Sequence, residues 1–373
     1  MNPDVKRATK EDVQPLAELS DKVFRPSLPA GTAMGVEFAP MFSSENAQNL
    51  YFVERDGLPV SLVGMVKSRV CIHGASVSAA SMGSVCTLAE YRKHHFASAM
   101  VEQVIEDFSP STSVLLVSGE LSIYRRVGCV NFGNWVEASI DSRGASRPNS
   151  VQNRDVQIIR GVPDGSAMLK LYRNEPLRYS RSQASMEQLL ATMAAPRFRN
   201  QTRAPETFAA YRHGELVAYA IASQSDHRPE FIRIFEWAGD RSVLLDLVAA
   251  AQGHFGSTTA HLMSSPSDVV LRSELLSAGA SLVNTRNQGT IRVLNPSLLL
   301  QEMGDLIEEL HGARLELAAK ETNCWNVRWI GPNADHLPGH GICLRGFDVL
   351  SSWLFDSSGL GLPFPRTDDL NFA

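Results

Sequence analysis

The chain has 373 residues with 44% hydrophobic residues, 20% charged residues and a formal net charge of -5. This composition indicates a globular protein of about two to three domains, and its acidic balance excludes a polybasic nucleic-acid or membrane-surface binder. Five cysteines without a C-x-x-C pair favour reduced thiols in a cytoplasmic protein. No N-terminal run resembles a signal peptide, and the most apolar helix candidate, Val243 to Ala251, is too short to span a bilayer.

The first 80 residues begin with a strand-to-helix pattern and continue with a hairpin. A strand starts at Val5, and Thr9 with Asp12 resembles a capping box before apolar residues that recur with helical spacing from 13 to 23. Residues 28–48 are weakly patterned and predict a loop or short helix. Asp56-Gly57 is a strong hairpin signal between two strand-like runs.

Residues 81–132 combine strand and helix patterns around a basic turn. A strand from Ser81 leads into a basic turn at Tyr91 to His95, which precedes an amphipathic helix that ends near Phe108. The wholly apolar run Val114 to Val117 predicts a buried strand, and a short helix carries Tyr124. Because the first turn of a helix leaves backbone N–H groups unpaired, the basic turn predicts a pyrophosphate-binding site.

Residues 141–154 are polar and contain the Gly and Pro of a linker, so a domain boundary is expected there.

The region after this linker repeats more weakly the order of strands and helices seen before it. Its strands are expected at 156–159, 231–237 and 260–263, its helices at 167–172, 244–251 and 271–276, and its hairpin around His213-Gly214. After Asn295-Pro296 the pattern changes to a helix over 298–310, strands at 315–317, 324–329 and 341–344, and a helix over 347–355.

Two short runs in the first region resemble the signatures of the GCN5-related N-acetyltransferases (GNAT). Arg92-x-x-His95-x-Ala97 resembles the acetyl-coenzyme-A signature Arg/Gln-x-x-Gly-x-Gly/Ala, with a histidine at the glycine position. Tyr124-x-x-x-Gly128 resembles the second signature, Tyr-x-x-x-Gly-Phe. The chain length and the weaker second copy narrow the resemblance to the enhanced-intracellular-survival (Eis) type.

The resemblance implies a mixed-sheet α+β fold with tandem GNAT-like domains and a small C-terminal domain. The expected limits are 1–145 for the catalytic domain, 146–294 for a degenerate second copy and 295–373 for a sterol-carrier-like domain with a tail. The turn at Ala238 to Ser242 lacks the spacing of the cofactor signature, so the second copy is expected to bind no cofactor.

The resemblance also implies acetyl-CoA as co-substrate and a small-molecule or peptide amine as acceptor, with no nucleic-acid or membrane partner; a homo-oligomer is left open. The residues implied in cofactor binding are Val85, Cys86, Thr87, Arg92, Lys93, His94, His95, Phe96, Ala97, Ser98, Gly119 and Glu120. The backbone N–H groups of residues 85–87 would polarise the thioester carbonyl.

Two groups are candidates for proton transfer. Tyr124 is the expected acid for the departing thiolate, since a phenol remains protonated near neutral pH. The terminal carboxylate of Ala373 is the expected base, because residues 81–133 offer no well-placed carboxylate and Pro363 and Pro365 stiffen the tail. Eis-type enzymes use their terminal carboxylate in this way, which supports the assignment.

The same residues also allow other functional interpretations. The histidine at position 95 motivates a catalytically silent GNAT-fold module that binds a ligand or partner, and the C-terminal resemblance motivates a lipid carrier. Cys86 could act as a covalent nucleophile, but the sequence indicates no base that would deprotonate it. His336-x-x-x-His340 encloses Pro338 and Gly339 and predicts a loop, so no metal site is expected.

Overall fold

The structure, a computed structural model, describes residues 3–28, 33–142, 155–193, 204–225 and 227–367. The chain divides into two compact units, one that combines residues up to 133 with residues 287–367 and one built on residues 134–286. Ala373, the expected base, lies outside the described residues.

The first unit contains helices and strands from both ends of the chain. Its N-terminal elements are β1 (Val5–Arg7), α1 (Val13–Phe24), α2 (Met34–Glu37), β2 (Leu50–Arg55), β3 (Leu58–Ile72), β4 (Ala75–Thr87), α3 (Phe96–Phe108), β5 (Val114–Val117) and α4 (Ser122–Arg126). Short 3-10 helices cover Lys10–Asp12, Ser44–Asn49 and Ala89–Tyr91.

A mixed sheet in the order β1-β2-β3-β4-β5 lies at the centre of this unit. Because strand side chains alternate between faces, β2 sends Tyr51 and Val53 into the core under α3, while Leu50 and Phe52 pack with α1 and α2. Helices therefore cover both faces of the sheet.

Several local predictions for the first unit are confirmed. The side chain of Asp12 accepts hydrogen bonds from Thr9, which gives the predicted capping box. Asp56 and Gly57 have φ of 52° and 76°, as a tight hairpin requires. All four residues of β5 are buried. The weakly patterned run before β2 contains α2 and a 3-10 helix.

The second unit is a sheet with helices on both faces. Its elements are β6 (Trp135–Asp141), β7 (Val156–Arg160), α5 (Gly165–Tyr172), β8 (Leu177–Tyr179), α6 (Gln183–Thr192), β9 (Glu206–Arg212), β10 (Glu215–Ser225), β11 (Arg228–Gly239), a 3-10 turn at Arg241–Val243, α7 (Leu244–Phe255), β12 (Thr259–Ser264), α8 (Val269–Ser277) and β13 (Ser281–Thr285). The strand order is β13-β6-β12-β11-β10-β9-β7. Along β10, Ala218 and Ala220 pack under α7, whereas Tyr219 and Ile221 pack with α5 and α6.

The remaining elements return to the first unit. They are β14 (Thr290–Val293), α9 (Pro296–His311), β15 (Arg314–Glu321), β16 (Cys324–Ile330), a 3-10 turn at Ala334–His336, β17 (Cys343–Arg345) and α10 (Phe347–Phe355). β14 pairs antiparallel with β5, and β15, β16 and β17 form a separate three-stranded sheet.

The units divide the chain differently from the expected limits at 145/146 and 294/295. β6 precedes the first limit yet pairs with β12 and β13 of the second sheet, and β14 precedes the second limit yet completes the first sheet. The pairing of β6 and β14 is decided by hydrogen bonds between residues far apart in sequence, which linker composition does not report. The predicted mixed α+β fold is confirmed, while the sterol-carrier-like character of the C-terminal elements remains a prediction.

Candidate active site

β4 and β5 separate from one another in the middle of the first sheet. They pair in parallel only over Ala79–Met82 and Val114–Val117. β5 ends there, whereas β4 continues to Thr87. Among the described residues no strand pairs with this side of β4 beyond Met82, so residues 83–87 form an open segment, meaning one without a strand partner on this side.

A bulge distorts β4 within this open segment. The β3–β4 register passes from Leu62↔Cys86 to Gly64↔Gly83, which leaves Ser84 and Val85 opposite one residue of β3. Ser84 has φ of 49°, and its hydroxyl oxygen lies 3.0 Å from that of Ser20. A bulge takes one residue out of the ladder and turns its backbone groups, so this segment can present N–H groups to a ligand.

The basic turn leads directly into α3. Arg92, Lys93, His94 and His95 are exposed, and α3 begins at the next residue. The N–H groups of its first turn have no acceptor within the helix, and this turn carries no acidic residue. The helix dipole and the basic side chains thus favour an anion at the same place.

The backbone of the turn has the conformation that the signature glycine would favour. His95 has φ of 60° and ψ of 16°, and Lys93 has φ of 69°. A side chain in this left-handed region costs about 1–2 kcal/mol. His95 therefore has a left-handed backbone conformation, which a glycine at this position would adopt without that cost.

Arg55, at the end of β2, is a further basic residue at this helix terminus. Its guanidinium carbon lies 4.8 Å from the centroid of the Phe96 ring, and the imidazole of His94 stacks with the same ring at a centroid distance of 5.6 Å. Sequence reasoning missed Arg55 because hairpin folding, rather than sequence proximity, brings it to the turn.

Tyr124 is buried on α4, with 5% of its surface exposed. A side chain at Gly119 would lie 3.1 Å from the tyrosine ring, so glycine leaves room for it. Burial raises the pKa of Tyr124 to about 12, with smaller contributions from Cys129 and from Cys86 of β4. Within the described part of the chain the hydroxyl has no hydrogen-bond partner. Tyr124 belongs to the same core cluster as Met82 of β4, and Val85 packs against that cluster, so the tyrosine lies close to the open segment of β4.

The two cysteines near Tyr124 are thiols rather than nucleophiles. Burial raises the pKa of Cys86 to about 12 and that of Cys129 to about 12. A thiol with so high a pKa contains almost no thiolate near neutral pH. The structure thus offers no support for a covalent Cys86 intermediate.

The other expected cofactor residues occupy two different settings. Val85, Cys86 and Thr87 lie on the open segment of β4, and Phe96, Ala97 and Ser98 form the first turn of α3. The carbonyl oxygen of Gly119 accepts a hydrogen bond from the Thr290 hydroxyl at 3.2 Å. The exposed carboxylate of Glu120 accepts from Asn131 at 2.8 Å and pairs with Arg125 at 3.5 Å.

The second unit contains a similar pair of parallel strands, but side chains close the equivalent position. β11 and β12 pair only from Phe231↔Thr259 to Ile234↔Leu262. Beyond that point the indole N–H of Trp237 donates to the carbonyl of Met263 at 3.2 Å. The tryptophan therefore bridges the two strands where the first unit has an open edge.

The basic side chain of the turn before α7 is neutralised by carboxylates from other parts of the second unit. Arg241 binds the Glu175 carboxylate at 2.8 and 2.6 Å and the Asp268 carboxylate at 3.0 Å. The Asp240 carboxylate accepts the Ser242 N–H at 2.9 Å. The Arg241 guanidinium and the Ser242 N–H are therefore already bound to carboxylates, which leaves few groups for an anionic ligand at this turn.

The described ranges of the chain lack two other kinds of site. They contain no group of three or more His, Cys, Asp or Glu side chains that could hold a metal ion. No described helix is long and apolar enough to span a bilayer.

The sequence and the fold are similar to those of known acetyltransferases. Residues 4–131 match the family model "Acetyltransferase (GNAT) domain". No curated protein matches the sequence significantly.

Three crystal structures share the fold over most of the chain. A probable N-acyltransferase from Enterococcus faecalis has a TM-score of 0.63 and 17% identity, over 80% of this chain and 74% of that one. A GCN5-related N-acetyltransferase from Anabaena variabilis has a TM-score of 0.62 and 14% identity, over 92% and 85%. An Eis protein from Mycobacterium abscessus has a TM-score of 0.57 and 13% identity, over 89% and 86%. Residues 4–131 thus match a GNAT acetyltransferase domain, and the chain shares its fold with GCN5-related N-acetyltransferases and with an Eis protein.

Proposed function

We propose that this enzyme transfers an acetyl group from acetyl-CoA directly to an amine of a small molecule or a lysine side chain. The observation that carries the proposal is the open segment of β4, which lies between the anion-binding turn of α3 and the buried phenol of Tyr124. These three features match the three parts of the donor: an extended amide chain, a pyrophosphate and a thioester.

The turn before α3 supplies the charge for the pyrophosphate. The free N–H groups of Phe96, Ala97 and Ser98 would donate to phosphate oxygens, and Arg92 and Lys93 would add positive charge. The left-handed backbone at His95 supports this geometry.

The open edge of β4 supplies the site for the amide chain. An extended chain with N–H and C=O groups can pair with an exposed strand edge as an added strand would. Residues 83–87 provide that edge, since β5 has already ended. The thioester would then lie beside the Ser84 bulge, where a backbone N–H can stabilise the developing oxyanion.

Tyr124 would assist the departure of the thiolate. With its pKa raised to about 12, the phenol remains protonated across the physiological range. Because a thiol has a pKa of about 8.5, complete proton transfer from this phenol is uphill, and the raised value favours hydrogen-bond donation to the developing thiolate. The hydroxyl, unpaired within the described residues, is available for this bond.

The acceptor amine must lose a proton before or during its attack. We assign this role to the carboxylate of Ala373, on the resemblance to Eis-type enzymes. Appending residues after Ala373 should lower kcat while leaving acetyl-CoA affinity unchanged. Full kcat in the extended enzyme would place the base elsewhere.

Isothermal titration with acetyl-CoA tests donor binding. We expect saturation at about one acetyl-CoA per chain, since Trp237 and the Arg241 ion pairs close the second unit. Arg92→Ala should weaken binding, whereas Arg328→Ala, an exposed arginine on β16, should not. A stoichiometry of two would contradict the assignment of the second unit.

The same titration separates an enzyme from a silent module. Absence of binding in the wild type, under conditions where the chain is folded by circular dichroism, would favour the silent module. Where binding is seen, release of CoA with spermidine, an aminoglycoside and a lysine peptide tests transfer. If none of these amines is acetylated, the proposed acceptor class is contradicted. If turnover requires a longer acyl-CoA, the proposed donor is contradicted.

A further inference from the structure

Two cysteines that are 19 positions apart in the chain meet in the C-terminal sheet. Cys324 pairs with Arg345 across β16 and β17, and Asn326 pairs with Cys343. Directly paired residues point to the same face, so the two cysteines are diagonal neighbours on one face of the sheet. Their Sγ atoms lie 2.7 Å apart, against about 2.0 Å in a disulfide bond.

The two thiols differ in their access to solvent. Cys343 is exposed, whereas Cys324 is 3% exposed. The contact with Cys343 raises the pKa of the Cys324 thiol, and the nearby Arg345 guanidinium opposes that rise. A small reagent in solution therefore meets Cys343 first, with Cys324 directly behind it.

The other three cysteines provide an internal comparison. Cys71, Cys86 and Cys129 are all buried, and burial raises the pKa of Cys86 and Cys129. The thiolate is the attacking species, and a raised pKa lowers the fraction of thiolate, so buried thiols of this kind react slowly. Cys343 thus differs from the other four cysteines because it is exposed, and it also lies beside a second thiol.

We propose that Cys324 and Cys343 form a dithiol site that reacts with small-molecule disulfides and closes an intrachain cystine between β16 and β17. In the first step the Cys343 thiolate attacks one sulfur of the small disulfide, giving a mixed disulfide and one free thiolate. In the second step the Cys324 thiolate attacks Sγ of Cys343, the mixed disulfide breaks, and the second small thiolate leaves. The chain loses two protons and two electrons, and the small disulfide is reduced to two thiols.

The cystine would fasten the segment that leads into α10. β17 is only three residues long and is followed by Gly346, whose N–H donates to the Asn323 carbonyl at 2.8 Å. Phe347, the first residue of α10, packs its ring 4.4 Å from the guanidinium carbon of Arg292 on β14. A bond across β16 and β17 therefore fixes the start of the helix that packs on the first sheet.

An aromatic disulfide such as 5,5′-dithiobis(2-nitrobenzoate) tests the site on the native full-length chain. We expect the wild type to release about two coloured thiolates per chain in the fast phase and to retain no aromatic adduct. Cys324→Ser should release about one and keep the adduct on Cys343. Cys71→Ser, which removes a buried and solitary thiol, should behave as the wild type.

Peptide mass spectrometry of the treated wild type keeps the test decisive if Cys324→Ser does not fold. A peptide pair joined through Cys324 and Cys343, lighter by two hydrogens than the reduced pair, is the expected product. A wild type that stops at the Cys343 adduct, or that links Cys343 to another chain instead, would overturn the proposal. So would a wild type in which neither thiol reacts faster than the buried ones.

Discussion

Replacement of Tyr124 by phenylalanine separates the catalytic role of the hydroxyl from any structural role. The side chain is buried and its hydroxyl has no hydrogen-bond partner within the described residues, so removal of the hydroxyl leaves no protein group unsatisfied. We expect the free energy of unfolding of Tyr124→Phe to differ from that of the wild type by less than about 1 kcal/mol. Affinity for acetyl-CoA should also be retained, since the contacts that we propose for the pyrophosphate and the amide chain lie elsewhere.

The expected loss is in kcat. A positioned acid or hydrogen-bond donor at the leaving group contributes about 10²–10⁴-fold, which is about 3–5 kcal/mol of the activation free energy. Burial of Tyr124 supports the upper part of that range, because water has limited access to replace the lost donor.

The pH dependence gives a second measurement of the same role. Because its raised pKa is about 12, Tyr124 stays protonated up to about pH 10. The wild-type rate should therefore show no alkaline decline from this group below that pH. An acidic limb would instead report the base or the acceptor amine.

Steady-state release of CoA with a saturating amine measures kcat, and titration calorimetry measures donor binding. Tyr211→Phe, a tyrosine on β9 of the second unit, is the matched control and should keep the full rate. The reasoning is refuted if Tyr124→Phe keeps more than about a tenth of the wild-type kcat. It is also refuted if that variant loses stability or acetyl-CoA binding in step with its rate.

Three further predictions concern the turn and the buried thiols. His95→Gly should raise the free energy of unfolding by about 1 kcal/mol in urea titration, because it relieves a left-handed side chain; unchanged or lower stability would show that the histidine makes a compensating contact. Arg55→Ala should weaken acetyl-CoA binding by about threefold to tenfold, and the effect should shrink at high salt; equal binding at low salt would remove Arg55 from the site. Cys86 and Cys129 have pKa values of about 12 in the folded protein, against about 8.5 in the unfolded chain. The stability that the two protonated thiols contribute is therefore complete below about pH 8.5 and is lost as the pH rises toward about 12. The free energy of unfolding should fall by up to about 1.4 kcal/mol per pH unit for each thiol. Urea unfolding at about pH 8 and about pH 10 measures this slope, and a double replacement by alanine that leaves the slope unchanged would contradict it.

Local sequence predicted several elements of this protein and the resemblance of its central segment to the GNAT signatures. The capping box at Thr9, the hairpin at Asp56-Gly57 and the apolar β5 were predictable because each depends on residues close together in the chain. The same holds for the basic turn before α3 and for Tyr124 on α4, whose spacings resemble the GNAT signatures.

Only the tertiary structure decided which strands share a sheet and which side chains meet. β14 pairs with β5 across 173 or more positions, and β6 joins the second sheet, although neither strand's own sequence indicates its partner. The approach of Arg55 to Phe96 and the contact of Cys324 with Cys343 likewise follow from strand register. Backbone hydrogen bonds are the same for every residue type, so long-range pairing depends on how the whole core packs and not on a local pattern.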